Sequence, residues 1–331
     1  MPMFQLSRRR LLSGLSAASL LTLPRQSLAA ASEPLTIWGP PAGPSITVAH
    51  AIAAGLLKSV AETAELRLWR TPDEMRAGLT SGSMQLVIMP TATAANLYNR
   101  GLGVRLVNVM TNGLLYIIAP AGTVADIEGL KGKRLALPFS NDMPAFIVNR
   151  LLRANGLMPG ADLAVETAGT PLEAVQMLLM GRVDAAVVAE PSASMAIIRG
   201  GQMGTQIARA VDLQAAWAGV AGAEDRVLPQ AGLAVTDKFR AADPGRIDAI
   251  AAILEAATMS MRSRPAEAAA QAAPMLEMPA PVIEQAIARS NLVATRAHTT
   301  RPSLERLFDI ILKELDPAIL GGRLPAADFY L

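Results

Sequence analysis

Four short stretches hold most of the polar side chains that could meet a ligand in an otherwise apolar chain of 331 residues. They are Trp38 with the following G-P-P-A-G-P-S to Ser45, Pro90 to Thr93, F-S-N-D-M-P from Phe139 to Pro144, and Glu190 to Ser194. Each follows a short apolar run and precedes a helical pattern. Ser45, Thr91, Thr93 and Ser140 offer hydroxyls, Asn141 an amide, and Asp142 and Glu190 carboxylates. Pro41 and Gly43 present bare backbone, while Trp38 and Phe139 present ring faces. Thr111 and Asn112 in one apolar stretch, and Gln230 ahead of another, complete the candidate ligand-binding set. Chemistry that makes and breaks covalent bonds is poorly provided for. There is no cysteine, and the two histidines, His50 and His298, lie far apart. The inventory argues strongly against a catalytic triad or a zinc site of the usual His or Cys kind. No catalytic residue, metal or cofactor is expected.

Each of these residues also has a structural reading. Ser45, Thr91, Thr93 and Asp142 are good helix caps, Ser140 and Asn141 can close a turn, and Glu190-Pro191 can open a helix. Trp38, Phe139 and His50 suit a core. The functional signal is the recurrence of four such turns. None of the four contains Arg or Lys. If Asp142 and Glu190 face a ligand, they favour one with amine or other donor groups.

The turns belong to an internal repeat. Residues 71–101 and 170–200 align without a gap at an offset of 99. They are identical at eight of 31 positions, including Thr71/Thr170, Pro72/Pro171, Glu74/Glu173 and Gly82/Gly181. Typical residue usage gives roughly two or three by chance. The same offset sets Leu35–Ser45 against Arg134–Pro144. Each copy reads as strand, turn, helix, strand, turn, helix, which gives two α/β lobes with parallel strands. Val104–Ala119 reads as one or two strands leading from one lobe to the other, and Leu228–Thr236 as the return. Crossings near 117–121 and 225–230 would make a hinge. Beyond Thr236 the pattern is helical almost to the end, with helices opened by Asp243-Pro244, Pro265, Pro281 and Pro302. Ligands of open parallel sheets bind outside the carboxyl ends of the strands, where all four turns fall.

The first 31 residues read as an export signal: Arg8-Arg9-Arg10, an apolar run Leu11–Leu23, and small-residue cleavage sites near Ala29. The arginine pair resembles a twin-arginine motif. Without its four arginines, the 30 basic residues fall to 26 against 28 acidic, so no nucleic-acid footprint remains. Without a cysteine there is no lipid anchor at the cleavage site. A periplasmic protein is expected. The domain limits follow: 1–31 signal, 32–118 with 229–331 one lobe, 119–228 the other.

L-K-G-K-R-L-A-L-P at 130–138, G-R-V-D-A-A-V-V-A-E-P at 181–191 and Asn155-Gly156-Leu157 resemble the solute-binding proteins of ABC importers. Among these they resemble the nitrate/sulfonate/taurine and thiamine-pyrimidine-precursor group. The resemblance implies a two-lobed, type 2 periplasmic-binding fold. In it, each lobe is a mixed, mostly parallel sheet flanked by helices, with two crossing hinge strands and a helical C-terminal tail. It also implies a non-enzymatic monomer that captures a small polar organic solute (amine, pyrimidine or sulfonate-like) and docks on an inner-membrane permease. Contacts would fall at Pro41–Ser45, Thr91–Thr93, Ser140–Asp142 and Glu190. Alternatives are a sensory or adaptor protein, a TRAP-type binding subunit, or a pyrimidine-forming enzyme. The last would want His, Lys or a metal cluster at the turns.

Overall fold

The computed structural model describes residues 34–140, 142–220 and 226–331. The expected export signal and Asn141 lie outside the described residues.

Two mixed sheets organise the chain. The first contains β1 (Leu35–Gly39), β2 (Ala64–Leu68), β3 (Leu86–Pro90), β4 (Val104–Leu106) and β5 (Asn108–Thr111). The second contains β6 (Leu115–Pro120), β7 (Arg134–Pro138), β8 (Ala164–Ala168), β9 (Ala185–Ala189) and β10 (Ile207–Asp212). The chain then returns to the first sheet with β11 (Ala231–Thr236) and β12 (Leu292–Arg296). The seven-stranded sheet runs β12-β5-β11-β3-β1-β2, with β4 also on β11, and the five-stranded sheet runs β10-β6-β9-β7-β8. In both, a parallel trio (β3-β1-β2 and β9-β7-β8) carries an antiparallel neighbour, β11 or β6.

The trios are the two copies of the repeat. Strands β1 and β7, and β3 and β9, stand at the expected offset of 99. Strand β3 is buried at four of its five positions and β9 likewise, which is why both read as unbroken apolar runs. Helices α1 (Gly43–Ala53), α2 (Pro72–Ser81) and α3 (Thr91–Asn99) of one copy answer to α4 (Met143–Ala154), α5 (Pro171–Leu179) and α6 (Ser192–Gln202) of the other.

The shared T-P-x-E has a structural cause. Thr71 Oγ accepts from the Glu74 N–H at 3.2 Å, and Glu74 Oε2 accepts from the Arg70 N–H at 2.7 Å. Thr170 and Glu173 repeat this at 3.1 and 2.8 Å, with Gly169 as the second donor. Each box satisfies N–H groups that the first helical turn leaves open.

The remaining helices are α7 (Leu213–Val220), α8 (Asp237–Ala242), α9 (Pro244–Ser263), α10 (Pro265–Leu276), α11 (Ala280–Ile287) and α12 (Ala297–Glu314). Asp243 caps α9 through the Arg246 N–H at 3.2 Å, as its sequence implies. Two expectations for the tail need correction. Leu292–Arg296 is a strand on β5, and the last helix begins at Ala297 with Pro302 inside it. L-V-A-T-R is too short to break a helical pattern by itself, and its strand state comes from the open edge of β5.

The chain changes sheets between Thr111 and Leu115, ahead of the 117–121 expected. Leu115–Pro120 pairs with β9 and β10 as an interior strand of the second sheet. The two crossings hold each other. The Gln230 N–H donates to Thr111 O at 3.1 Å, and Gln230 Oε1 accepts from the Leu114 N–H at 3.3 Å. Among the described residues, no helix is long and apolar enough to cross a membrane.

Candidate functional site

The carboxyl ends of the parallel strands in both sheets open on one cavity of about 440 Å³. The turns after β1 and β7 reach it through Pro41 and Phe139, and β3 and β9 through their last residues, Pro90 and Ala189. Helix α10 closes one side with Leu276 and Glu277. Trp69 lies in the wall, with its indole N–H on Ile88 O at 3.0 Å. Phe139 takes φ = 58°, a left-handed conformation that costs an aromatic residue about 1 kcal/mol or more and puts it in the cavity wall.

Of the residues singled out in the sequence, Pro41, Phe139, Asp142 and Gln230 line this cavity. The others stand elsewhere. Ser45, fully buried, donates to Pro40 O at 2.6 Å, Thr91 to Pro229 O at 2.7 Å, and Thr111 to Ser290 O at 2.6 Å. These hydroxyls are engaged by backbone carbonyls. Gly43 sits so close to Ser290 that a Cβ would lie 2.6 Å from its Oγ. Trp38 is half-buried beneath the Arg67 guanidinium. Asn112 lies in a separate pocket with Gln214 and Asn291, and Ser140 is exposed.

Two arginines that sequence reasoning missed answer the two carboxylates. Asp142 is the residue before α4, yet its side chain caps nothing. Its Oδ1 instead accepts from Arg76 Nη2 at 2.8 Å and from the Thr93 hydroxyl at 3.4 Å. The partners come from α2 and α3 of the first sheet's half, so the bond joins the two halves. Burial pushes the Asp142 carboxyl above its ordinary range, and Arg76 only partly offsets this. Glu190 is completely buried. Its carboxylate accepts from the Ser194 N–H at 3.2 Å, the Ser194 hydroxyl at 2.8 Å and Arg209 Nε at 2.7 Å. Arg209 lies over the Tyr116 ring. Burial, with Asp212 and Glu190 nearby, pushes that phenol up to about 12. No spacing signal could have disclosed these pairs, because Arg76 and Arg209 lie 66 and 19 residues from their partners.

Further bonds join the halves. The Gly43 N–H donates to Glu190 O at 3.1 Å, and the Tyr116 hydroxyl to Arg289 O at 2.8 Å. At the end of α12, Glu314 accepts from Arg150 Nε at 2.7 Å. No cluster of three metal-ligating side chains occurs among the described residues.

Two α/β halves joined by paired crossings, with a cavity between them, define a solute-binding protein of the periplasmic type. The chain belongs to the family described as ABC transporter, phosphonate, periplasmic substrate-binding protein, whose model matches residues 48–262. No curated protein matches it. Among solved structures it is similar to an ABC transporter protein from Parabacteroides distasonis, at 22% identity and TM-score 0.72, covering 90% of this chain and 98% of that one. The periplasmic aliphatic sulphonate binding protein SsuA from Escherichia coli is similar at 18% identity and TM-score 0.64, covering 90% and 99%. The periplasmic nitrate-binding protein NrtA from Synechocystis is similar at 13% identity and TM-score 0.62, covering 76% and 69%.

Proposed function

We propose that this chain captures a small organic solute in the cavity between its two halves and delivers it to an ABC permease of the inner membrane. The observation that carries this reading is the position of the cavity. It lies at the carboxyl ends of both parallel trios, walled by turns from each, where ligands of open α/β sheets bind. Residues 1–31 export the chain to the periplasm by the twin-arginine route, and it works there as a monomer. The lobe limits expected at 118/119 and 228/229 shift to the crossings between the sheets, so that Leu115–Pro120 belongs to the second lobe. Closing them buries the solute, and the permease recognises the closed shape. Of the residues singled out in the sequence, Pro41, Phe139, Asp142 and Gln230 form the contact set. Arg76 and Arg209 neutralise the two carboxylates, which removes the reason to prefer an amine.

The solutes named for relatives are phosphonate, aliphatic sulphonate and nitrate. The test is a thermal-shift screen of the full chain with organic phosphonates, sulfonates, carboxylates, amines and pyrimidines, and with nitrate. A ligand at a hundredfold its Kd stabilises the native state by about 2.7 kcal/mol. A cooperative transition that no class displaces refutes the reading.

A further inference from the structure

The cavity wall is unusual in what it lacks. Met75, Met89, Met143, Met195 and Met278 line it from five separate segments, Met195 and Met278 partly exposed and the other three packed into the core behind them. Prolines, Leu114, Leu115 and Trp69 fill much of the rest. Thioether side chains are polarisable and adapt to irregular apolar shapes. The polar groups at the wall are largely engaged already. Arg70 is paired with Glu277 at 2.7 Å and Asp142 with Arg76 at 2.8 Å. Thr170 caps its helix and Gln230 holds the Leu114 N–H. A small oxyanion placed here would lose its hydration and find few donors in return.

Arg199 is the exception. It lines the cavity, is exposed, and makes no ion pair among the described residues. Ser192, Met195 and Arg199 occupy one face of α6 at spacings of three and four, so this face runs from polar through apolar to cationic along the cavity.

We infer that the solute is an organic monoacid with a predominantly apolar aliphatic or aromatic body, held by its body in the methionine wall and by its acidic group at Arg199. This rests on the proposed solute-binding function and narrows it. Affinity then comes from apolar area, and the acid adds orientation.

The experiment is calorimetry on the full chain with linear carboxylates from propionate to octanoate and with phenylacetate. Nitrate, inorganic phosphate and methylphosphonate serve as small oxyanions. Each added methylene should tighten binding about fourfold until the cavity is filled. Arg199→Gln should weaken every acid roughly tenfold, as the loss of a charge-assisted hydrogen bond at a wet site does, and leave phenylacetamide unaffected. Three results overturn the inference while keeping a solute-binding protein: a flat carboxylate series, small oxyanions that bind more tightly than octanoate, or acids indifferent to Arg199→Gln. A folded chain that binds neither series but is stabilised by an amine or a pyrimidine overturns the inference alone, whereas one that no class of the thermal-shift screen stabilises overturns the reading beneath it as well.

Discussion

Replacing Glu190 by Gln separates two accounts of the same residue. If the carboxylate serves a ligand, the change alters affinity and leaves stability nearly intact. The structure leads to the opposite outcome. Glu190 is fully buried and holds Arg209, the Ser194 hydroxyl and the first turn of α6 together. The amide keeps the shape but loses the charge, which leaves the Arg209 guanidinium, only 18% exposed, without its counter-ion. Breaking one side of a buried pair costs about 3–5 kcal/mol. With an unfolding entropy of about 2.1 cal/mol/K per residue over roughly 300 residues, that corresponds to a fall in Tm of roughly 5–8 °C. Differential scanning calorimetry of the parent, Glu190→Gln, Arg209→Met and the double variant provides the measurement. The double variant should recover much of the loss, because no charge is then left unpaired. A Glu190→Gln Tm within a degree of the parent, with solute affinity down tenfold, would refute the structural assignment.

Three more outcomes follow from the geometry. Burial holds the Asp142 carboxyl above its ordinary value of 3.8, so the folded state binds more protons than the unfolded one in the window just above that value. There, Asp142 contributes stability that grows as pH falls; parent minus Asp142→Asn unfolding free energies should therefore rise on acidification through that window, and a difference that falls contradicts it. Thr71→Ala and Thr170→Ala should each cost about 1 kcal/mol in urea unfolding, and the two costs should add, since the boxes share no residue. Gly232→Ala should prevent a stable fold, because a Cβ there would meet Asn108 O at 1.9 Å between paired strands; normal expression with an unchanged Tm would show that the strands can part.

The fold was legible where local chemistry repeats. Thr-Pro-x-Glu, the apolar quintets of β3 and β9, and glycine stops recur at one offset, and each has a cause within a few residues. Strand β12 was hidden because its state depends on an edge nearly two hundred residues away. Of the site, the position was legible and the partners were not. Ser45, Thr91 and Thr111 carry the right groups, but Ser45 turns back onto Pro40 O five residues earlier, and Thr91 and Thr111 meet backbone carbonyls that only the tertiary fold brings within 2.7 Å. Arg76 and Arg209 reach their carboxylates from other elements, so a count of charges in the turns missed them.

The hydroxyls that bond Pro40, Pro229 and Ser290 brace the frame, whereas partly exposed wall residues such as Met195 and Met278 line it. Frame and lining can therefore drift apart over generations. A descendant could acquire a new solute by exchanging a few wall side chains, with no change to the bonds that set where the wall stands. For the same reason the chain offers a host for engineered reporters, in which the lining is randomised and the braces are left untouched.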